Sequence, residues 1–432
     1  MDIFSAAVEI EARLSELRAG RISKKSVEAI FVRSGLARTE QRIEIAYDRK
    51  GTFRIRSNSV GSIANLFEEN TSLEFVGAPQ VTDLLCVSQN LNSSGKTNQE
   101  FVLVREPFAC GDLNLASRIN GVVLCGPDLL LPSWKEHGLH NTKSVKLIGE
   151  KSEIEIGPIH SPLLSAVDQQ AHRHEWLRTQ SLVFRAKDGL AFSLMMLMKD
   201  LNLLLDFLSF VRGFRVGLSH LVGYDSLGGC KWVQLGSYKA DSMQRQSNWF
   251  DCHLTRSLPS IFDLLTAYCQ KTDNRKFIRK VVGYYCLGNS LRQHAVEPAL
   301  VMSATALEVI ASHIFPSGEF TRIKRTGFGN LVRALWLRLK ISEAPDLGLK
   351  DLPKLVGTEN WLDCFDGIAK LRNLVTHSKG EIPGGFALHE AQAASQWLVE
   401  VSLLAILGYR GEYGDRRISR WVGEHKLLPV QE

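Results

Sequence analysis

Apolar and polar positions change their period twice along this chain, and the changes divide it into regions. Near the N-terminus, Ile10, Leu14 and Leu17 recur at helical spacing within Ser5 to Leu17, and a second short helix is predicted from Ser26 to about Val32, closed by Ser34-Gly35. From Arg42 the period becomes two. Ile43, Ile45 and Tyr47 alternate with polar residues, Asp48-Arg49-Lys50-Gly51 reads as a turn, and Phe53 and Ile55 resume the alternation, which predicts a β-hairpin. Further strand-like runs at 73–76, 101–104, 122–124, 145–148 and 154–156 are separated by Gly, Pro, Asn or Asp clusters, as an antiparallel β domain requires.

A helix is predicted from Leu190 to Arg212, then glycine punctuation and a short strand at Trp232–Leu235. After about Ser257 the period is helical to the end, with predicted helices at 258–270, 276–291, 298–314, 329–339, 352–377 and 387–407. Long amphipathic segments joined by short loops predict an antiparallel bundle in which each helix buries one apolar stripe. The predicted fold is therefore multidomain α+β: N-terminal helices over 1–40, a β-rich module with a central helix over 41–256, and an all-α bundle over 257–432.

Composition adds bounds. The 432 residues suffice for two or three domains, and 44% apolar with 23% charged residues excludes a disordered or fibrous chain. The stretch from Leu190 to Val211 is apolar, but Lys199, Asp200 and Asp206 fall at depths costly in a bilayer, so a buried helix of a soluble protein is expected. Eight cysteines with no C-x-x-C pair argue for free thiols in a reducing compartment. Glu9 and Glu11 interrupt the start of the chain where a secretory signal would be apolar, and a cytoplasmic location is expected. Of the net +6, five charges lie from Lys271 onward, a modest bias that admits a phosphate-bearing partner.

Two motifs dissolve on inspection. Asn92-Ser93-Ser94-Gly95-Lys96-Thr97 resembles the tail of a phosphate-binding loop, yet Asn90 stands where the first glycine is needed and a strand follows where a helix should begin, so a hairpin tip is expected. His172-Arg173-His174-Glu175 offers two imidazoles and a carboxylate, but no further ligands at recognisable spacing, so neither metal nor cofactor is expected.

The chemically specific feature is Leu371-Arg372-Asn373-Leu374-Val375-Thr376-His377, at the end of a predicted helix and followed by Lys379-Gly380. Asn373 and His377 are four apart on one helix face, so the amide is placed to orient the imidazole, with Arg372 one position round the barrel. An imidazole to move the 2′-hydroxyl proton and a guanidinium for the charged phosphorane are what metal-free RNA cleavage needs. The same residues also fit a plain helix end, where cations suit the dipole. Beside them, Arg322, Lys324 and Arg325 in a predicted loop and Arg333 on the next helix are candidate RNA-phosphate contacts.

In this context the C-terminal region resembles the HEPN family of helical RNases, whose signature is R-x4-6-H with a polar residue after the arginine. Arg372, Asn373 and His377 match it, Met302 to Ile310 resembles the family's preceding helix with Glu308 as its acidic member, and Trp397 to Gly408 resembles its closing helix. The resemblance covers Arg275 to Tyr413 and is nearest to the ApeA-like branch linked to bacterial anti-phage defence; Phe207-Leu208-Ser209-Phe210, Gly213 and Trp232 carry a looser likeness upstream. Lys379 stands where HEPN toxins switched by AMP modification carry a tyrosine, so that switch is not implied. The resemblance implies a homodimer or higher oligomer with a composite site, RNA as substrate, products ending in 2′,3′-cyclic phosphate and 5′-hydroxyl, an N-terminal module sensing a phage-derived or other trigger, and catalytic roles for Arg372, Asn373, His377 and Glu308. The alternative is a non-catalytic HEPN module that binds RNA or acts as an adaptor.

Overall fold

The computed structural model describes seven strands between Ser23 and Leu103 and, beyond Phe108, all residues except 114–115, 128–143, 159–177, 190, 192, 236–239, 242–247, 378–384, 419–420, 422 and 432. The predicted helix over Ser5 to Leu17, the phosphate-loop-like residues 92–96, His172, His174 and Lys379 lie outside the described residues. The chain forms two compact units. One comprises 1–126, 137–201 and 216–244; the other comprises 127–136, 202–215 and 245–432.

The first unit is β-rich. Ser23–Arg33 (β1), Thr39–Tyr47 (β2), Phe53–Ser59 (β3), Thr71–Phe75 (β4), Gln80–Val81 (β5), Leu84–Leu91 (β6) and Thr97–Leu103 (β7) form an antiparallel sheet in the order β5-β4-β1-β2-β3-β7-β6. The hairpin expected at Asp48–Gly51 joins β2 and β3, with Tyr47 opposite Phe53. The helix expected over Ser26 to Val32 is instead the middle of β1, where Val27 faces Ile43 and Ile30 faces Glu40. Val27, Ile30, Phe31 and Val32 suit either period, and pairing on both edges decides for the strand.

A second antiparallel sheet contains Phe108–Gly111 (β8), Arg118–Leu124 (β9), Val145–Ile148 (β10), Ser152–Pro158 (β11), Arg178–Ala186 (β12), Gly217–Tyr224 (β13) and Cys230–Leu235 (β14), ordered β10-β11-β12-β9-β13-β14-β8. Alternation explains its buried face: Ile154 and Ile156 lie opposite Phe184 and Leu182, all buried, while Arg185 reaches Glu155 on the other face at 3.0 Å. The tight turn between β10 and β11 is closed by Asp200, whose carboxylate accepts from the Glu150 and Lys151 amides and from Ser152 Oγ at 2.6–3.0 Å. That residue lies on helix α1 (Leu194–Arg212) and is itself buried, which accounts for one of the acidic interruptions in this apolar stretch.

The second unit is helical: α2 (Leu258–Tyr268), α3 (Thr272–Leu291), α4 (Val296–Ile314), α5 (Ser317–Arg325), α6 (Phe328–Arg338), α7 (Asp351–Thr358), α8 (Cys364–His377) and α9 (Gly385–Ile406), with a short pair Glu412–Tyr413 (β15) and Lys426–Leu427 (β16). The boundary expected near Ser257 falls inside this unit, because 202–215 and 245–256 belong to it. The single helix expected over 352–377 is two, α7 and α8, parted where Asn360 takes a left-handed φ of 52°. The mixed α+β character is as expected.

Helix α9 is buried on every side between residues 391 and 400, which marks it as the centre of the unit. Its buried Glu400 accepts from Tyr285 Oη at 2.5 Å and pairs with Arg416 Nε at 3.1 Å, and Arg416 continues to Asn289 Oδ1 at 3.0 Å. Burial raises the Glu400 carboxyl to about 7 even against the Arg416 charge, and pushes the Tyr285 phenol upward too. The C-terminal carbonyls of α1 end in this polar cluster. Ser209 O receives Cys286 Sγ at 3.6 Å, Phe210 O receives Trp249 Nε1 at 3.1 Å, and Val211 O and Gly213 O receive Asn248 Nδ2 and Asn289 Nδ2, both at 2.8 Å. Gly213 has φ +83°, and a side chain there would press on both amide nitrogens at 3.1 Å.

Candidate functional site

The candidate site is built on α8. Asp363 Oδ1 accepts from the Asp366 amide at 2.9 Å at the helix start, and Phe365, Ile368, Ala369 and Leu371 form the stripe buried in the bundle. Arg372 lies at the edge of that stripe, half-buried, while Asn373, Thr376 and His377 face solvent. Helix α8 packs on α4 and α6, so the guanidinium of Arg372 meets side chains from both.

Arg372 Nη2 stands 3.3 Å from Glu308 Oε1 on α4, and Nη1 donates to Asn373 Oδ1 at 3.2 Å. Its guanidinium carbon lies 5.6 Å from the ring centre of buried Phe328 on α6. Buried Nε finds no hydrogen-bond partner among the described residues. The other oxygen of Glu308, Oε2, is 3.1 Å from Lys324 Nζ on α5, and that ammonium sits 5.5 Å from the Phe320 ring. One carboxylate therefore bridges two cations, each resting on an aromatic face, and the trio keeps one net positive charge.

His377 ends α8 and is exposed. Helical geometry places it about 7.5 Å along the axis and roughly 140° around from Arg372. The two side chains leave the helix in different directions, Arg372 toward α4 and His377 toward solvent. Asn373 does not act as expected. Its oxygen is taken by Arg372, and among the described residues no hydrogen bond joins it to His377. The reason is local: the neighbouring guanidinium offers a charge-assisted donor to the same oxygen.

The basic residues behave differently from one another. The segment expected as a loop is helix α5, and Arg322, Lys324 and Arg325 occupy its last turn, where cations complement the dipole. Arg322 and Arg325 are exposed and, among the described residues, have no side-chain partner. Arg333 is held inside the fold: Nε and Nη2 bond both oxygens of Asp363 at 2.8 Å, and the guanidinium covers Phe365. It ties α6 to the start of α8, and its remaining nitrogen, Nη1, donates to Asn330 Oδ1.

The structure thus brings Glu308, Arg372, Asn373 and Lys324 together, leaves His377 at the exposed end of the same helix, and sets Arg333 apart. Phe320 and Phe328, which interleave the basic residues in the sequence, lie against the two cations, Phe320 beneath Lys324 and Phe328 beneath Arg372, a role their spacing alone did not assign. Among the described residues no group of three or more His, Cys, Asp or Glu side chains is arranged to hold a metal ion, and no helix is long and apolar enough to cross a membrane.

Residues 271–427, a little over a third of the chain, match the family model described as the YopA C-terminal domain. The matched stretch runs from the start of α3 to β16 and contains Glu308, Lys324, Arg372 and His377. No curated protein and no solved structure matches the chain.

Proposed function

We propose that the helical unit is a metal-independent endoribonuclease of HEPN type. The observation that carries this reading is the convergence of Glu308 and Arg372 from helices 64 residues apart in sequence, with His377 exposed one turn beyond on the arginine's own helix. In this reading Arg372 binds the scissile phosphate and stabilises the charge of the phosphorane. His377 takes the proton of the 2′-hydroxyl as its oxygen bonds to phosphorus. The bond to the 5′ oxygen then breaks and that oxygen takes up a proton, leaving 2′,3′-cyclic phosphate and 5′-hydroxyl ends. Asn373 and Glu308 hold the guanidinium, and Arg322 and Arg325 contact flanking phosphates.

The divergence of Arg372 and His377 around one helix favours a homodimer in which two copies of the motif complete the site. The β-rich unit would sense the trigger of a defence response. A second reading, a non-catalytic RNA-binding or adaptor module, has its own support in the commitment of Arg372 to Glu308 and Asn373 within the chain.

The deciding experiment is cleavage of total cellular RNA by wild type and His377→Ala with EDTA present, with molar mass from light scattering recorded alongside. Cutting by wild type alone, with cyclic phosphate ends, is expected. Equal cutting by both removes His377 from the mechanism, and a trigger-treated wild type that binds RNA without cutting it favours the adaptor.

A further inference from the structure

We propose that Arg372 and Lys324 form a two-cation clamp for a single phosphodiester, and that the Glu308 carboxylate is a resident anion that occupies the clamp until a substrate phosphate displaces it. The inference rests on the nuclease reading for the identity of the ligand, a phosphodiester of single-stranded nucleic acid, and on the site geometry for everything else.

The two carboxylate oxygens divide between the two cations, Oε1 to Arg372 at 3.3 Å and Oε2 to Lys324 at 3.1 Å. Two non-bridging oxygens of a phosphodiester have nearly the same span, carry the same single charge and accept the same hydrogen bonds. Exchanging one anion for the other therefore preserves the charge balance of a half-buried cluster, which is the condition for a near-even competition. The guanidinium also has an unused donor. Nε and Nη2 form the edge with which arginine grips an oxyanion in two parallel bonds, and Nε has no partner among the described residues while Glu308 sits on Nη2 alone. Glu308 is thus an incomplete occupant of that edge.

The surroundings are built to keep the cations in place when the carboxylate leaves. Phe328 lies under Arg372 and Phe320 under Lys324, so each cation retains an aromatic face. Lys324 can also adjust its position at little cost. Helix α5 buries no residue, follows Pro316, and is left through Gly327, whose φ of +109° is a conformation glycine tolerates. Arg322 and Arg325, on the same last turn, extend the positive surface along which neighbouring phosphates would lie. Glu308 then sets a threshold: isolated anions compete poorly with a tethered carboxylate, whereas a polyanion held at several points displaces it.

The test is fluorescence anisotropy of a labelled single-stranded DNA oligonucleotide, which lacks the 2′-hydroxyl and so cannot be cut by the proposed route. Glu308→Gln keeps the side chain's shape and removes the resident charge; it is expected to tighten binding on the order of tenfold, and adding Lys324→Met or Arg372→Met is expected to abolish the gain. Glu319→Gln, which removes one negative charge from α5 outside the clamp, controls for net charge and is expected to change binding far less. Thermal melting of each variant confirms folding. Unchanged or weaker binding by Glu308→Gln overturns the clamp, as does an equal gain from Glu319→Gln. The outcomes separate the two readings: a gain that depends on Lys324 and Arg372 in a protein that cuts no RNA leaves the clamp standing without the nuclease. Cleavage lost in His377→Ala, with no gain in Glu308→Gln, leaves the nuclease without the clamp.

Discussion

Replacing Arg372 by lysine separates a catalytic arginine from a structural one, because the substitution keeps the charge and removes the fork. A lysine ammonium can still meet Glu308, so most of the ion pair across α4 and α8 survives. What is lost is the bond from Nη1 to exposed Asn373 and part of the stacking on Phe328. Those terms amount to about 1 kcal/mol or slightly more. In a cooperative unit of this size that lowers Tm by about 3–5 °C. Catalysis should suffer far more. In the proposed mechanism two parallel guanidinium bonds grip the phosphorane, which one ammonium cannot reproduce, and removing one preorganised donor from a developing oxyanion costs about 2.7–4 kcal/mol, or roughly 10²–10³ in kcat. Initial rates on a fluorogenic RNA oligonucleotide, measured beside thermal melts of the same preparations, give both numbers. A rate within about fivefold of wild type would show that Arg372 does not face the reacting phosphate. A Tm loss beyond about 10 °C would show that the arginine's main work is holding α8 to α4.

Two further outcomes follow from the same geometry. Burial raises Glu400 from 4.5 to about 7, so the folded unit holds a proton that the unfolded chain releases; stability is therefore greatest below pH 4.5 as far as this group is concerned and declines as pH rises to about 7. Urea unfolding across that window should show the decline in wild type and a flatter profile in Glu400→Gln, and identical profiles would refute the assignment. Replacing Arg322 and Arg325 by glutamine should weaken RNA binding and reduce the slope of log K against log salt by about 0.7 for each phosphate contact removed, with no slope change if these residues only solvate α5.

What the sequence revealed depended on how local the determining interaction is. The β2–β3 hairpin was legible because alternation and turn chemistry sit within one short stretch, and Tyr47 does face Phe53. The onset of helical period near Ser257 was legible for the same reason. β1 was not, since an apolar cluster around Ile30 suits both periods until β2 and β4 pair with its edges. Helix α5 was hard to read because it is nine residues long and buries no residue fully, so only half-buried Phe320 and Ile323 mark its apolar side. At the site, the apposition of Glu308 and Arg372 followed from a family resemblance and not from spacing. The Arg333–Asp363 pair across 30 residues and the placement of Arg372 over Phe328 are contacts of the folded chain that no local pattern encodes, whereas Asn373 beside Arg372 and Phe320 one turn before Lys324 are local neighbours whose roles only the fold decides.

The side-chain caps on the end of α1 bear on how this protein can be taken apart or recombined. Their donors come from positions 37 to 77 residues further along, and two of them, Asn248 and Trp249, precede the point where the helical period begins. The β13–β14 stretch lies in the chain between two portions of the helical unit, 202–215 and 245–432. The helical unit is therefore not a cassette that a single crossover can transfer. A recombinant starting at Ser257 would inherit Cys286 and Asn289 without the carbonyls they bond, and would leave those buried donors without partners. A recombinant that keeps the helix end intact must instead take 202–215 and 245–432 from the same parent, so that the carbonyls and their donors travel together.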